Sequence, residues 1–551
     1  MNNRSNLAMK MEKLKLNTKW FSTVASVWIQ CTSGSLYTFS IYSPILKSTQ
    51  GYDQSTLDTV SVFKDIGANC GVLSGVLYTS ATSDHNSSAV VLGSWMVLLV
   101  GAIQCFAGYF LMWAAVTRLI PRPPVAVMCL FMLTAAHAQS FFNTANVVTS
   151  VRNFPHYSGT AVGIMKGFLG LSGAILIQVY QTLFNGKAAS FILMLALLSS
   201  GVPLLLLWFV RIYNVEEDDE KFLDRVSVIA LVLGGYLMFG IILEQIFSFQ
   251  LVLRVIMFVL LVILLASPLF VATKRDNDSE IVSVRSRLID NSKKLVEQDS
   301  TSYHRPHGHS YDCVDSSEES RLVVVENLNL WQSIFTLDFW ILFLAMACGM
   351  GSGLATVNNL SQVGGSLGYR RYETSTLVSL WSIWNFLGRF GAGYISDYLL
   401  RSRGCARPLF MVITLVGMTL GHLVIASGLP GALYAGSVLV GVCYGSQWSL
   451  MPTIASEIFG VQHMGTIFNS ITIACPVGSY IFSVRVVGYI YDKQASEEGN
   501  KCIGTHCFTL SFLIMASATL LGSVAALGLF LRTRQVYNHV IRRRLQHLSR
   551  D

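Results

Sequence analysis

Fourteen stretches of this 551-residue chain are apolar enough, and long enough, to cross a bilayer as helices. A hydrocarbon core of about 30 Å needs about 20 such residues in helical form. The expected spans are 20–46, 55–79, 89–116, 124–149, 158–182, 188–211, 226–245, 250–273, 337–361, 373–399, 408–427, 432–456, 463–491 and 508–531. Backbone polar groups in lipid must be paired within the segment, so the expected fold class is all-α, a polytopic membrane bundle. Charged residues make up only 13% of the chain and hydrophobic ones 52%, against about 25% charged in an ordinary soluble domain. That excludes a large water-facing enzyme surface. No P-loop or HExxH occurs, so neither an enzyme nor a cofactor is expected.

The net charge of +8 does not indicate nucleic acid, because the basic residues cluster at the ends of apolar segments. With the N-terminus in the cytosol, 26 of the 39 Lys and Arg residues fall on the cytosolic side and 9 on the other. The long linker aside, the count is still 18 against 9. Both termini are therefore expected in the cytosol, in the plasma membrane or an endomembrane. The expected organisation is a cytosolic tail (1–19), an N-terminal transmembrane region (20–273), a Ser-, Asp- and Glu-rich disordered cytosolic linker (274–335), a C-terminal transmembrane half (336–532) and a basic tail (533–551). Sequons at Asn86 and Asn277 would then face the cytosol. The 11 cysteines are scattered without a CxxC and read as buried thiols. Cys502 and Cys507 are the exception, sharing one polar loop where a disulfide could form. His304, His307 and His309 form an HxxHxH cluster in the linker, read as disordered chain, and no metal site is expected.

An internal repeat orders the spans. Phe154-Pro155-His156-Tyr157-Ser158-Gly159-Thr160 precedes span 5 as Phe459-Gly460-Val461-Gln462-His463-Met464-Gly465-Thr466 precedes span 13. Upstream, Gln139 matches Gln447 and Arg152 matches Glu457. Two parallel six-helix halves joined by a cytosolic linker predict a major-facilitator architecture, with spans 7 and 8 as an inserted pair.

Charges and amides inside the spans are the candidate functional residues. Lys64, Lys166, Arg389 and Arg485 lie deep, against one clearly deep carboxylate, Asp65. Each costs at least about 2.5–3.5 kcal/mol at the bilayer centre, so it faces a cavity or a partner. A cationic surplus suits an anionic solute, with Asp65 as the proton-coupling candidate. Asn143, Asn358, Asn385 and Asn469 offer amides to a polar solute, while His137 and His422 read as packed side chains. Gly388-Arg389-Phe390-Gly391-Ala392-Gly393-Tyr394-Ile395-Ser396-Asp397, followed by Arg401, Arg403, Gly404 and Arg407, resembles the major-facilitator loop signature, in which Asp and Arg latch one gate. The first-half equivalent, Gly71 to Gly75 and then Asp84-His85, lacks the basic residues. Arg152 and Glu457, at equivalent helix ends, are expected to pair across the halves as a gate.

Several blocks are similar to plant nodulin-like major-facilitator proteins of the nuclear-fusion-defective type. They are Trp20 to Tyr42, Phe63-Lys64-Asp65-Ile66-Gly67, Ile120-Pro121-Arg122-Pro123-Pro124, Val151-Arg152-Asn153-Phe154-Pro155, Lys166-Gly167-Phe168, Gln447 to Glu457 and Pro476-Val477-Gly478-Ser479-Tyr480. The resemblance implies a nodulin-like N-terminal region and a C-terminal region typical of that family. Asn385-Phe386-Leu387-Gly388-Arg389 more distantly resembles a helix of monocarboxylate and oxalate/formate transporters, where an Asp and an Arg four apart hold the substrate carboxylate and the proton. Here the Arg is kept and the Asp position is Asn385.

The expectation is a secondary active transporter of a small organic anion, working by alternating access with protons as possible partners. Its solute site is expected at Lys64, Asp65, Asn143, Lys166, Asn358, Asn385, Arg389 and Asn469, and its gating residues are Arg152, Asp397, Arg401 and Glu457. The alternatives are a metal or metal-chelate transporter and a non-transporting membrane protein with a role in membrane or nuclear fusion. The partners are a small solute and the lipid bilayer, with no nucleic acid.

Overall fold

The computed structural model describes residues 18–82, 89–184, 187–213, 219–247, 251–274, 327–497 and 502–548. The N-terminal tail to residue 17, Asn86, Asn277, nearly all of the expected linker and its three histidines lie outside the described residues. The helices are α1 (Lys19–Ser33), α2 (Phe39–Gln50), α3 (Gln54–Asn69), α4 (Val72–Thr82), α5 (Ala89–Val116), α6 (Val125–Asn153), α7 (Ser158–Leu183), α8 (Ala188–Leu206) and α9 (Asp219–Ile246). Then come α10 (Leu251–Lys274), α11 (Leu330–Ile334), α12 (Leu337–Ser366), α13 (Arg371–Arg403), α14 (Arg407–Ala426), α15 (Ala432–Phe459), α16 (Met464–Thr472) and α17 (Ala474–Ser479). A π-helical stretch, Tyr480–Gly488, leads into α18 (Tyr489–Glu497), and α19 (His506–Leu548) closes the described chain.

Among the described residues, eleven continuous helical stretches are long and apolar enough to cross a membrane. That is the build of an integral, multi-pass membrane protein. The other three expected spans are also helical, as α1–α2, α13 and α15, and carry more polar side chains. The α1–α2 span breaks at Gly34 and a short 3₁₀ turn, Ser35–Thr38. A Cβ on Gly34 would collide with the Ser172 hydroxyl of α7. Local signals set other ends. Asp53 accepts the Thr56 N–H at the start of α3, Thr336 caps α12, and Gly404 ends α13 in the left-handed region at φ 64°.

The two halves touch along two seams. In one, α7 lies against α13; in the other, α4 lies against α16. Both seams depend on glycine for close backbone approach. A Cβ on Gly393 would strike the Gly159 carbonyl oxygen, and one on Gly75 would strike the backbone of Gly465 and Thr466. The repeated Gly-Thr motifs thus sit at pseudo-symmetric positions, each pressed against the other half. The inserted pair, α9 and α10, flanks the bundle. Helix α9 packs on α13 and α7, and α10 receives a hydrogen bond from Trp28 Nε1 to the Leu265 carbonyl oxygen at 2.7 Å.

Candidate functional site

A cavity of about 450 Å³ lies between the halves. All eight residues expected at a solute site line it: Lys64 and Asp65 from α3, Asn143 from α6, Lys166 from α7, Asn358 from α12, Asn385 and Arg389 from α13, and Asn469 from α16. They share a cavity because each is a polar group that a lipid-facing surface would penalise. Asn358 is exposed and Lys64 and Asp65 are partly so. The cavity is therefore open where these three residues line it.

The cations are not equivalent. Lys64 Nζ lies 3.2 Å from Asp65 Oδ1 and 5.3 Å over the Phe39 ring. Its neighbour in sequence thus already neutralises Lys64. Lys166 is 1% exposed and stands 5.0 Å over the Trp448 ring and 5.6 Å over Phe468. Arg389, also 1% exposed, donates from Nε to Asn385 Oδ1 (2.9 Å), from Nη1 to the Lys166 carbonyl oxygen (3.2 Å) and from Nη2 to the Tyr37 hydroxyl (3.3 Å). Its guanidinium carbon lies 5.3 Å over the same Trp448 ring. Among the described residues no carboxylate comes within 4.0 Å of Lys166 or Arg389. Asn385 fixes the guanidinium with a neutral amide, so Arg389 keeps its whole charge.

The amides divide. Asn143 Oδ1 and Gln139 Oε1 are buried without a hydrogen-bond partner beside the cavity, which leaves acceptors for an incoming donor. Asn469 instead donates to Thr144 Oγ1 (2.7 Å), Ser74 Oγ (3.4 Å) and the Gly465 carbonyl (2.7 Å). It stitches the halves together at the cavity floor. His137 is held by Gln104 and the Cys70 carbonyl and His422 by Thr356. Neither lines the cavity. Arg485 is exposed, lying 5.7 Å from the Tyr480 ring, and is not among the lining residues.

The seam side is closed by a buried charge cluster centred on Arg407. Its Nη2 lies 2.5 Å from Asp397 Oδ1, and its Nε lies 2.9 Å from each Glu457 oxygen. Its Nη1 donates to Ser396 Oγ (2.6 Å). Tyr537 of α19 donates to Glu457 Oε2 (2.9 Å). Asp397 Oδ2 accepts the Thr160 N–H (2.5 Å), crossing from one half to the other at the positive end of α7. On the other seam, Thr79 Oγ1 and Thr466 Oγ1 lie 3.4 Å apart.

Two gating expectations are corrected here. Arg152 does not pair with Glu457. It donates to the Gln462 carbonyl (3.3 Å) and lies over Tyr78, because Arg407 already occupies both oxygens of Glu457. Arg401 does not hold the Asp397 carboxylate either. It donates to the Asp397 backbone carbonyl (3.4 Å) and pairs with Glu220 of α9 (2.9 Å) while covering the Tyr157 ring at 4.2 Å. Beside it, Asp219 pairs with Lys19 (2.5 Å). The start of α9 thus touches the N-terminal half through Lys19 and the C-terminal half through Arg401.

Sequence reasoning missed the aromatic wall of Tyr37, Tyr444 and Trp448. The i, i+4 spacing of Tyr444 and Trp448 was a usable signal. It also missed Arg407 as hub and Tyr537 and Glu220 as partners. The pairings to Glu457, Tyr537 and Glu220 span 50 to 181 residues and leave no local trace. Outside the cavity, a disulfide joins Cys502, ahead of α19, to Cys507 in the first turn of α19.

Residues 19–273 match the nodulin-like family, and residues 321–539 match the NFD4 C-terminal domain. The chain is 28% identical over 553 residues to Protein NUCLEAR FUSION DEFECTIVE 4 of Arabidopsis thaliana, covering 95% of this chain and 90% of that one. It is 22% identical over 517 residues to Probable transporter MCH1 of Debaryomyces hansenii, covering 90% and 89%. The solved structure of the major-facilitator proton:xylose symporter XylE, bound to 6-bromo-6-deoxy-D-glucose, superposes with a TM-score of 0.53 at 10% identity, covering 92% of this chain and 94% of that one. That likeness is one of fold.

Proposed function

Because the chain belongs to the nodulin-like major-facilitator proteins of the nuclear-fusion-defective type, we propose that it is a secondary active transporter of a small organic anion, working by alternating access. The observation that carries this reading is the pair Lys166 and Arg389: two buried cations around one indole, with no carboxylate of their own among the described residues. A solute carboxylate entering between them supplies the missing negative charge, and charge-assisted hydrogen bonds hold it. Asn143 and Gln139 accept from hydroxyls on the solute, and Asn385 orients Arg389. The similarity to transporters such as Probable transporter MCH1 of Debaryomyces hansenii supports the transport class.

Asp65 is the proton-coupling residue in this proposal. It is the cavity's one carboxylate among the described residues, and its protonation releases Lys64 to the solute. In this reading the Arg407 cluster is the gate on the cytosolic side, with both chain ends in the cytosol and the cavity open to the opposite side. Opening the gate requires Asp397 to leave the Thr160 N–H. Arg401 and Arg152 act at its rim through Glu220 and Gln462.

Uptake into proteoliposomes over a panel of carboxylates, amino acids, sugars and metals tests this. Saturable carboxylate uptake that is abolished by Arg389→Ala is the expected result. An Asp65→Asn protein should still exchange the anion but lose its response to a pH gradient. Saturable uptake confined to sugars or metals, or unchanged carboxylate uptake in Arg389→Ala, overturns the assignment.

A further inference from the structure

A second, smaller pocket of about 140 Å³ lies where the inserted helices α9 and α10 meet α7 and α13, in the half of the bundle away from the latch. Transport as described above makes no use of it. Its charged groups are Glu244 of α9 and Arg254 of α10, whose closest approach is 3.6 Å. That is beyond ordinary hydrogen-bond length, and Arg254 Nε is buried without any hydrogen-bond partner. Both groups are only about one-third exposed. A short hydrogen-bond chain fixes the wall beside them: Gln178 Nε2 donates to the Tyr236 hydroxyl (2.9 Å), which donates to the Met257 carbonyl oxygen.

The surroundings are apolar and face outward. Leu251, Val252, Leu253, Val255 and Ile256 around Arg254 are all exposed, on a helix whose most apolar window is 17% buried. An arginine in such a helix would ordinarily extend towards water; this one lines an inward pocket instead. At about 30 Å³ per water the 140 Å³ pocket has room for about five waters, space for a small head group such as phosphoethanolamine. Ser382 of α13 lines both this pocket and the central cavity, so one helix wall separates the two.

We propose that this pocket binds a zwitterionic head group, its anionic oxygen on Arg254 and its ammonium on Glu244. Such a ligand completes both loosely paired charges and adds no net charge to a low-dielectric site. The exposed apolar face of α10 offers a track for acyl chains, so the natural source is a bilayer lipid. A free zwitterion offers the same head chemistry, and the experiment separates the two.

The full chain, purified in mild detergent, is exposed to equimolar phosphatidylethanolamine and phosphatidylglycerol, and retained lipid is read by native mass spectrometry. Soluble phosphoethanolamine is tested in parallel by thermal shift. The expected result is retention of phosphatidylethanolamine over phosphatidylglycerol by at least about tenfold, lost in Glu244→Gln and in Arg254→Gln. Gly240→Leu should also abolish retention without altering either charge. A Cβ there meets only the flexible end of Met257, so this variant tests the pocket even if a charge variant fails to fold. Saturable stabilisation by soluble phosphoethanolamine, lost in the same variants, identifies a free zwitterion as the ligand and also supports the assignment. Equal retention of both lipids without a soluble effect, or retention unchanged in Gly240→Leu, overturns it. None of these readouts measures transport, so their failure leaves the anion-transport reading standing.

Discussion

Replacing Lys166 with methionine should raise the stability of the empty protein and weaken anion binding at once. A lysine at the bilayer centre costs about 2.5–3.5 kcal/mol in insertion experiments. The Trp448 and Phe468 rings lie 5.0 and 5.6 Å from its ammonium, near the roughly 6 Å limit of a cation–π contact, and so return only about 1 kcal/mol each. No carboxylate lies within ion-pair distance among the described residues, so about 1 kcal/mol of unfavourable free energy remains. Like-charge repulsion from Arg389 acts in the same direction. Methionine fills similar space without charge, so the unfolding midpoint should rise by about 1–2 °C, somewhat below the shift that 1 kcal/mol gives in smaller domains. A charge-assisted hydrogen bond to a solute contributes about 1.5–3 kcal/mol, so anion affinity should fall roughly 10- to 150-fold. Lys64→Met provides the contrast. It leaves Asp65 without its 3.2 Å partner and should destabilise, by no more than about 1 kcal/mol because that pair is partly solvated. Thermal unfolding in detergent and uptake in proteoliposomes read both quantities. If Lys166→Met destabilises the protein and leaves anion affinity intact, Lys166 is a prop between helices and the electrostatic reasoning fails.

Other perturbations test the closed face. Arg407→Gln strands two buried carboxylates, Asp397 and Glu457, at about 3–5 kcal/mol; a Thr79→Cys/Thr466→Cys cross-link across the seam, mapped by mass spectrometry, should fall sharply in that background. Gly393→Leu puts side-chain atoms where the Gly159 carbonyl stands, so uptake should stop while anion binding from the open side persists in equilibrium titrations. The double swap Arg152→Glu with Glu457→Arg should stay inactive, because Glu457 is bound to Arg407 and Tyr537; restored uptake would reinstate a direct pairing. Burial, with Arg152 nearby, holds the His463 ring below its ordinary pKa, so the folded protein binds fewer protons there than the unfolded chain as pH falls below about 6.5. Stability should therefore decline on acidification from pH 7.5 to 5.5, and His463→Gln should flatten that part of the profile.

Much of the helical framework was legible because a bilayer imposes one length and one polarity on everything that crosses it. The same rule located the cavity residues, since Lys166 or Arg389 in a spanning helix has few tolerable surroundings. Pairing was a different matter. Asp397 is followed by three arginines within ten residues, and the expected gating partner was Arg401, one turn on. The helix ends at Gly404, and the turn brings Arg407 back to it instead. Glu457 lies fifty residues beyond Arg407, and no periodicity links them. The Lys64–Asp65 pair was visible as neighbours, yet its effect on the charge available to a solute needed the 3.2 Å contact. The break at Gly34 was hidden for a similar reason: its cause is Ser172, on another helix.

The deep charges are sorted between two places, and α13 carries one of each sign. Arg389 stands in the cavity and Asp397 in the latch, eight residues apart, which is about 12 Å along a helix axis. Both tie α13 to the same partner helix, Arg389 to the Lys166 carbonyl and Asp397 to the Thr160 N–H of α7. Were either latch carboxylate beside Arg389, the cavity would need no anion. Held by Arg407 instead, the carboxylates leave the cavity cationic and, in the proposed mechanism, keep the opposite face shut. In the proposed mechanism, a solute carboxylate that binds Arg389 and Lys166 competes for the guanidinium and loosens the first of the two ties. The second then holds alone, against a solute whose charge is satisfied equally well with the halves rotated. A ligand shifts such an equilibrium only through its different affinity for the two states, and here that difference resides in the Arg389 contact to α7 that the bound anion replaces.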